Sequence, residues 1–169
     1  MKQLFLFTVL SFALFSCSAN KKQADAASSY TYELDRLLAV ADQKVNDTIT
    51  LVGYVTHTCK HSGKKCFVVG ESQATSFQVF AKGEIAQFNQ ELEGSKLAIT
   101  GVLKEYHMSQ EEIDKNEANV KLLQEGGAPV EACQAELTNI SDMRKWMKDH
   151  NKDYYIIYYM DGQSYKVLD

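Results

Sequence analysis

The chain has little proline, and Pro129 is the only one in 169 residues. Otherwise the composition is that of an ordinary folded protein, with 45% hydrophobic and 24% charged residues. These proportions argue against a disordered chain, which would be poor in hydrophobic residues. The length left after an N-terminal leader and tether, about 140 residues, suits a single domain with a sizeable core.

The sequence also lacks the common catalytic signatures. It contains no Gly-x-Ser-x-Gly elbow, no His-Glu-x-x-His, no phosphate-binding loop and no Gly-x-Gly-x-x-Gly motif. Its carboxylates are scattered over segments with helical periodicity, which is typical of solvated helix faces. The sequence therefore predicts a protein that is not an enzyme.

Positive charge is in the minority. Without residues 1–16 the chain has 17 basic and 22 acidic residues, a formal charge of −5. Nucleic-acid affinity depends mainly on Lys and Arg that neutralise phosphates. The basic residues gather only around Lys60, Lys64 and Lys65. Nucleic acid is thus an unfavoured partner, and only an analogy with other proteins of the same fold supports nucleic-acid binding.

No hydrophobic run has the length that a membrane-spanning helix usually needs. The apolar run from Leu4 to Leu14 follows Lys2 and is shorter than the roughly 20 residues that a membrane-spanning helix needs. Residues 1–16 are therefore interpreted as a signal peptide. Residues 17–30 are small and polar, as expected of a flexible tether.

The residues Leu14, Ser16 and Cys17 resemble the lipobox of bacterial lipoproteins. This resemblance implies that Cys17 carries the lipid and becomes the N-terminus after cleavage. The alternative is plain cleavage between Ser16 and Ser18 without lipid. We expect an exported protein anchored by lipid to the cell envelope, at the outer membrane.

Hydrophobic periodicity predicts strands and helices after the tether. The predicted strands are 48–59, 66–70, 76–81 and 96–105, followed by a terminal hairpin of 154–160 and 164–168 with its turn at Asp161 and Gly162. The predicted helices are 31–42, 83–92 and 109–124, a short one after Pro129 and another that Ser141 caps. Ser109 and Glu112 fit a capping box that begins the third of these helices.

The order of these elements predicts a mainly β protein with helices. Three strands, a helix and a fourth strand, with Gly53 and Gly101 inside strands, match a five-stranded OB-fold barrel. The barrel domain would occupy residues 31–169, with an N-terminal helix and a helical insertion at about 109–150 before the last strand. A generic α+β sheet is the alternative.

The segment from Val55 to Phe67 resembles a family of OB-fold lipoproteins from Bacteroidota, related to the tRNA-anticodon-like OB group. Weaker matches are residues 91–95, 100–105 and 158–161. The resemblance implies the fold and the envelope location. It implies no activity.

Soft metal ligands and thiols are concentrated in this segment, which joins the predicted strands 48–59 and 66–70 and is called here the cysteine-histidine hairpin. The candidate residues are His57, Cys59, His61 and Cys66, together with Cys133 in the insertion. Strand alternation would place His57 and Cys59 on the side of Val55, with Cys66 opposite. A Cys59–Cys66 disulfide is one interpretation.

Three other interpretations of the cysteines stay open. Zinc, the possible cofactor, could be held by the three thiols and one histidine. Free thiols could act in redox chemistry or sensing, with nearby lysines lowering a thiol pKa. The cysteines could also be inert packing residues.

Aromatic residues offer a candidate ligand face. Phe67, Phe77 and Phe80 lie on the strands that OB-folds use for binding, although their alternation also fits a plain core. Tyr154, Tyr155, Tyr158 and Tyr159 could form a stacking platform or cross-strand packing. The leading hypothesis is an envelope-anchored binding module for a small molecule, glycan or protein. The alternative is a metal-binding or thiol-redox protein.

Overall fold

The computed structural model describes residues 30–168. The predicted signal peptide, Cys17 and the tether up to residue 29 lie outside the described residues. In the described range, a short strand and a short helix replace the helix predicted for residues 31–42. Leu34 and Leu37 of that helix are nevertheless fully buried, so the apolar face that the sequence predicted is present.

Residues 30–168 contain six strands and three α-helices. In chain order they are β1 (Thr31–Glu33), α1 (Leu34–Leu38), β2 (Thr48–Thr58), β3 (Lys65–Val69), β4 (Phe77–Ala81), β5 (Lys96–Ser109), α2 (Gln110–Glu125), α3 (Val130–Asp149) and β6 (Tyr154–Leu168). Single 3₁₀ turns occupy Ala41–Gln43 and Gln90–Leu92. The sheet order is β1-β2-β3-β4-β6-β5, and β2 also pairs with β5. The pairing of β2 with β5 closes the five strands from β2 to β6 into a barrel, and β1 is an extra strand at its edge.

Strand β2 belongs to both halves of the barrel. Its residues Thr48–Tyr54 pair with β5, and its end from Tyr54 onward pairs with β3. At the change of partner, a Cβ on Gly53 would lie 2.8 Å from the Val69 carbonyl oxygen. Only glycine allows this approach of the two strands. The closed barrel, with its parallel β4–β6 pair, is an OB-fold, which confirms the predicted fold class.

The last strand differs from the prediction. Instead of a hairpin with a turn at Asp161 and Gly162, β6 is one continuous strand of 15 residues. It pairs with β5 from Leu168 to Tyr154, and the register shifts once, between Thr100 and Gly101. Asp161 and Gly162 are both paired with β5, and Gln163 is the extra residue of a bulge. The strand bends around the barrel at this bulge instead of turning back, because β5 offers a partner on both sides of it.

The barrel core contains apolar side chains from every barrel strand. Its fully buried large residues include Phe77, Leu97, Ile99, Leu103 and Met160. The helix predicted for residues 83–92 is absent, and an irregular segment closes this part of the core instead.

Two apolar side chains of this irregular segment, Ile85 and Phe88, are buried as its periodicity predicted. Their backbone bonds explain why no helix forms. The Glu84 N–H donates to the Gln163 carbonyl and the Phe88 N–H donates to the Gly63 carbonyl. The first bond ties the start of the segment to β6. The second removes the Phe88 donor from the carbonyl four residues earlier, which a helix would need.

The predicted insertion is present as a helical hairpin between β5 and β6. Ser109 and Glu112 form the predicted capping box at the start of α2. The two helices expected on either side of Ser141 are instead the single helix α3. Cys133, Ile140 and Met147 are its buried residues, at intervals of seven, so one continuous face packs and no break is needed. In residues 30–168, no helix is long and apolar enough to cross a membrane.

The helical hairpin has its own apolar cluster. Ile113, Ile140 and Met147 form it, separate from the barrel core. The adjoining strand ends are already paired, since Ser109 lies opposite Tyr154 in the β5–β6 ladder. The barrel therefore does not need the hairpin to bring these two strands together.

We predict that the barrel survives removal of the hairpin. A chain in which residues 110–153 are replaced by Asn-Gly should keep its β signal in circular dichroism, because Asn-Gly favours the two-residue turns that join antiparallel strands. The intact chain is the control. Complete loss of the β signal would show that α2 and α3 belong to the folding core.

Candidate functional site

An aromatic face covers the outer side of β3, β4 and β6. We define it by Lys65, Phe67, Gln78, Phe80 and Tyr159, whose side chains are all partly exposed. Register places them together: Lys65 lies opposite Phe80, and Gln78 lies opposite both Phe67 and Tyr159. Each alternates with a buried residue, so strand periodicity sends these side chains outward.

The rings of this face contact one another and one cation. The Lys65 ammonium lies 5.0 Å from the Phe80 ring centre and 5.7 Å from that of Phe67. Phe80 and Tyr159 pack edge to face at 5.4 Å. The His57 ring lies 5.9 Å from Phe67 and extends the row onto β2. These contacts keep large apolar side chains at the surface in fixed positions.

Two grooves run along one side of the aromatic face. The first has a volume of about 530 Å³ and is lined by Gln78, Phe80, Lys82, Tyr106, Ile157, Tyr159 and Asp161. The second has a volume of about 740 Å³ and is lined by Lys82, Gly83, Glu84, Val102, Lys104, Asp161, Gln163 and Ser164. Lys82 and Asp161 line both grooves, which therefore adjoin.

A β-bulge decides the arrangement of the cysteine-histidine hairpin. Val55 lies opposite Val68 and His57 lies opposite Phe67, so one extra residue stands between them in β2. The extra residue reverses the alternation of sides beyond it. As a result His57 is exposed, whereas Thr58 is fully buried. The predicted placement of His57 and Cys59 on the side of Val55 is wrong.

The bulge separates the two thiols that could have formed a disulfide. Cys66 lies opposite Thr58 and is fully buried in the barrel core. Cys59 lies one residue further on, lining a surface pocket of about 340 Å³ with His57, His61 and Lys65. The three cysteines that the structure describes are free thiols.

Zinc does not fit this hairpin. Cys66 belongs to the barrel core, and Cys133 is a buried residue of α3. Of the predicted ligands, only His57, Cys59 and His61 line the surface pocket. Within residues 30–168, no group of three or more His, Cys, Asp or Glu side chains is placed to hold a metal ion.

Glu93 fixes the strand end that leads into this hairpin. Its carboxylate accepts bonds from the Thr58 backbone N–H at 2.8 Å and from the Thr58 hydroxyl at 3.1 Å. These bonds, and secondarily the nearby His57, lower the pKa of Glu93. His57 Nδ1 lies 3.4 Å from the same carboxylate, which holds the imidazole beside the aromatic face.

Comparisons with known proteins add little to this picture. No family model and no curated protein match the chain. A similar solved structure is that of a protein assigned as an aspartyl-tRNA synthetase from Leishmania major Friedlin, with 18% identity and a TM-score of 0.33. The match covers 51% of this chain, which spans 18% of the length of that protein. At this level of similarity the barrel topology itself remains the basis for the fold.

The structure divides the predicted ligand face. Phe67 and Phe80 lie on the aromatic face, whereas Phe77 is only 2% exposed and belongs to the core. The sequence already indicates this division. Side chains alternate between the two sides of a strand, so Phe77 and Phe80 must point to opposite sides of β4. Sequence reasoning missed Lys65 and Gln78, which reach the face through strand pairing.

The four tyrosines of the predicted platform do not act together. Tyr159 joins the aromatic face, and Tyr158 packs against the barrel core. Tyr155 packs edge to face on Trp146, and Tyr154 stacks on His107 at 4.0 Å. Alternation along β6 and the helical hairpin distribute the rings among separate surroundings.

The two hairpin thiols should react very differently. Bonds from Ser62, foremost the one from its hydroxyl to Cys59 Sγ at 3.4 Å, lower the pKa of Cys59. Burial raises the pKa of Cys66 to about 12. Because the thiolate is the reactive form, we expect iodoacetamide at pH 7.5 to modify Cys59 at least tenfold faster than Cys66, and Ser62→Ala to slow modification of Cys59.

Peptide mass mapping of the native protein measures both rates, and the unfolded protein is the control in which the two thiols should react alike. Equal native rates would contradict the placement of Cys66 in the core. If both thiols were protected until reductant is added, the disulfide interpretation would replace the free thiols.

Proposed function

We propose that this protein is a non-enzymatic binding module of the bacterial cell envelope, with its ligand bound on the aromatic face. The observation that carries the proposal is the fixed row of partly exposed rings on β3, β4 and β6. The corresponding face of OB barrels, with the loop after the first barrel strand, is where such barrels bind oligonucleotides and oligosaccharides. Here that loop is the cysteine-histidine hairpin.

The energetics of the face support binding. Aromatic side chains bury about 150–250 Å² each when covered, and they dominate many binding interfaces. Because the rings of Phe80 and Tyr159 already hold each other in place, a ligand would lose little free energy in ordering them. The grooves beside them provide the concave surface that small ligands require.

The envelope location is the second part of the proposal. It is supported by the apolar leader, by the lipobox-like residues that end at Cys17 and by the small polar residues that follow. A lipid on Cys17 and a tether to residue 29 would hold the barrel close to a membrane surface. The ligand would then be an envelope component or a molecule that reaches the envelope.

The test is a titration of isotope-labelled mature protein, followed by backbone amide shifts. The probes are neutral hexasaccharides, a 12-residue oligo-dT strand and a mixture of random decapeptides. We expect one class to shift the amides of β3, β4 and β6. Phe80→Ala and Tyr159→Ala together should weaken binding about thirtyfold, since truncating anchoring aromatics costs about 2 kcal/mol or more.

Tyr54→Ala is the matched control. Tyr54 is a partly exposed ring that also holds a lysine ammonium, that of Lys96 at 5.1 Å, yet it lines neither groove. Its removal should change the dissociation constant less than twofold. The proposal fails if no probe shifts the amides of the aromatic face, or if the only binding found is equally weakened by Tyr54→Ala.

A thiol-redox protein is the second candidate, favoured by the partly exposed position of Cys59 and by its lowered pKa. It would act through Cys59 with an external thiol, because Cys66 is buried away from it. Reversible mixed-disulfide formation with oxidised glutathione at Cys59, lost in Cys59→Ser, would support it. If that adduct does not form, the thiol-redox candidate is excluded and the binding module is the remaining proposal.

A further inference from the structure

The polar side chains that line the two grooves beside the aromatic face include both hydrogen-bond donors and hydrogen-bond acceptors, and positive and negative charges are equal in number. The first groove combines the Gln78 amide, the Tyr159 hydroxyl, the Lys82 ammonium and the Asp161 carboxylate. The second adds Lys104, Glu84, Gln163 and Ser164. Each groove therefore contains equal numbers of lysine and carboxylate side chains, and every other polar lining side chain is an amide or a hydroxyl.

This balance disfavours a polyanion. A strand of phosphates offers only acceptors along its backbone and needs an excess of cations. Along the grooves, Asp161 and Glu84 offset Lys82 and Lys104, so a phosphate there would meet a carboxylate as often as an ammonium. The overall charge of −5 in the mature chain acts in the same direction.

A polyhydroxylated ligand fits the balance instead. Each sugar hydroxyl donates one hydrogen bond and accepts others, so it needs acceptors such as Asp161 together with donors such as Lys82. The C–H groups on one face of a sugar ring are apolar and slightly positive, and they pack favourably on the negative face of an aromatic ring. Phe80 and Tyr159 stand at the edge of the same groove.

We propose that the ligand is an uncharged oligosaccharide that lies along both grooves, with sugar rings against Phe80 and Tyr159 and hydroxyls bonded to Lys82, Asp161 and Gln78. This inference rests on the proposed function and specifies its ligand class. The adjoining grooves, of about 530 and 740 Å³, have room for several sugar rings. The hairpin pocket at Cys59 is not part of this binding site.

The test uses the mature protein and neutral hexasaccharides of β1,4-linked N-acetylglucosamine, β1,4- and α1,4-linked glucose, and β1,4-linked xylose and mannose. A hexamer of galacturonic acid and the oligo-dT strand are the charged comparisons. We expect saturable binding of at least one neutral hexamer by calorimetry. Its affinity should change less than twofold between 50 and 500 mM NaCl, because no counterions are released.

Asp161→Asn and Gln78→Ala should each weaken that binding about tenfold, with unchanged amide shifts in the barrel core as evidence of folding. Asp153→Asn is the matched control, since this exposed carboxylate lines neither groove. It should leave the affinity unchanged.

The inference is overturned if none of the neutral hexamers binds, if they bind but Asp161→Asn and Gln78→Ala have no effect, or if the galacturonic acid hexamer binds more tightly. If oligo-dT or a peptide shifts the amides of the aromatic face while every sugar fails, the ligand class is wrong and the binding module stands. If no probe shifts these amides, both proposals fail.

Discussion

Gly101→Ala is expected to lower the free energy of unfolding by about 3 kcal/mol, near the upper end of the usual cost of overpacking. The residue lies at the register shift where β5 meets the bulge of β6. A Cβ on Gly101 would contact the Asp161 carbonyl oxygen and would lie 2.8 Å from the Gly162 Cα. These are backbone atoms, so the clash can be relieved only by separating the strands. Urea unfolding followed by circular dichroism measures the change.

Gly126→Ala is the control for this prediction. Gly126 has φ −76° at the end of α2, and the nearest atoms to its added Cβ lie 3.4 Å away. An alanine there should change stability by less than about 0.5 kcal/mol, as is usual for surface substitutions. Equal stability of the two variants would mean that β5 and β6 do not approach closely at Gly101.

Cys17→Ala is expected to move the protein from the membrane fraction to the soluble fraction. The reason is covalent, because the lipid of a lipoprotein is attached to the cysteine at this position. No helix in residues 30–168 could cross a membrane instead. The measurement is ultracentrifugation of lysed cells that express either form, with detection of the protein in the pellet and the supernatant.

Intact-mass analysis provides the independent check. The membrane-bound form should carry the mass of acyl chains on a chain that begins at Cys17, and Cys59→Ala should leave both the mass shift and the membrane association in place. An unmodified mature chain, or a Cys17→Ala form that stays in the pellet, would contradict lipid anchoring.

Strand positions were predictable because the alternation of apolar and polar residues is local. The strands predicted near residues 48, 66, 76 and 96 are present within one or two residues at their starts, and the capped helix after Ser109 is confirmed. The prediction of a hairpin at Asp161 was wrong because it used only the local sequence. The Asp-Gly pair favours a turn, but β5 pairs with β6 both before and after it and keeps the strand extended.

The ligand face was only half predictable. Phe67 and Phe80 were identified from their strands, but the distance between them and the position of the Lys65 ammonium over both rings depend on strand pairing. Gln78 and Lys82 were not predicted as site residues because each is an ordinary surface residue in its own segment, and Asp161 was interpreted only as part of a turn. They become a groove only through the parallel pairing of β4 with β6.

The sequence by itself determined the barrel strands and the glycines that allow them to bend, because side-chain periodicity and the absence of a Cβ act on each segment alone. It also determined the helical insertion. The tertiary structure decided the site. One extra residue between Val55 and His57 places Cys59 at the surface and leaves Cys66 in the core. Such a bulge depends on how two strands pair, and pairing is a property of the closed barrel rather than of either strand.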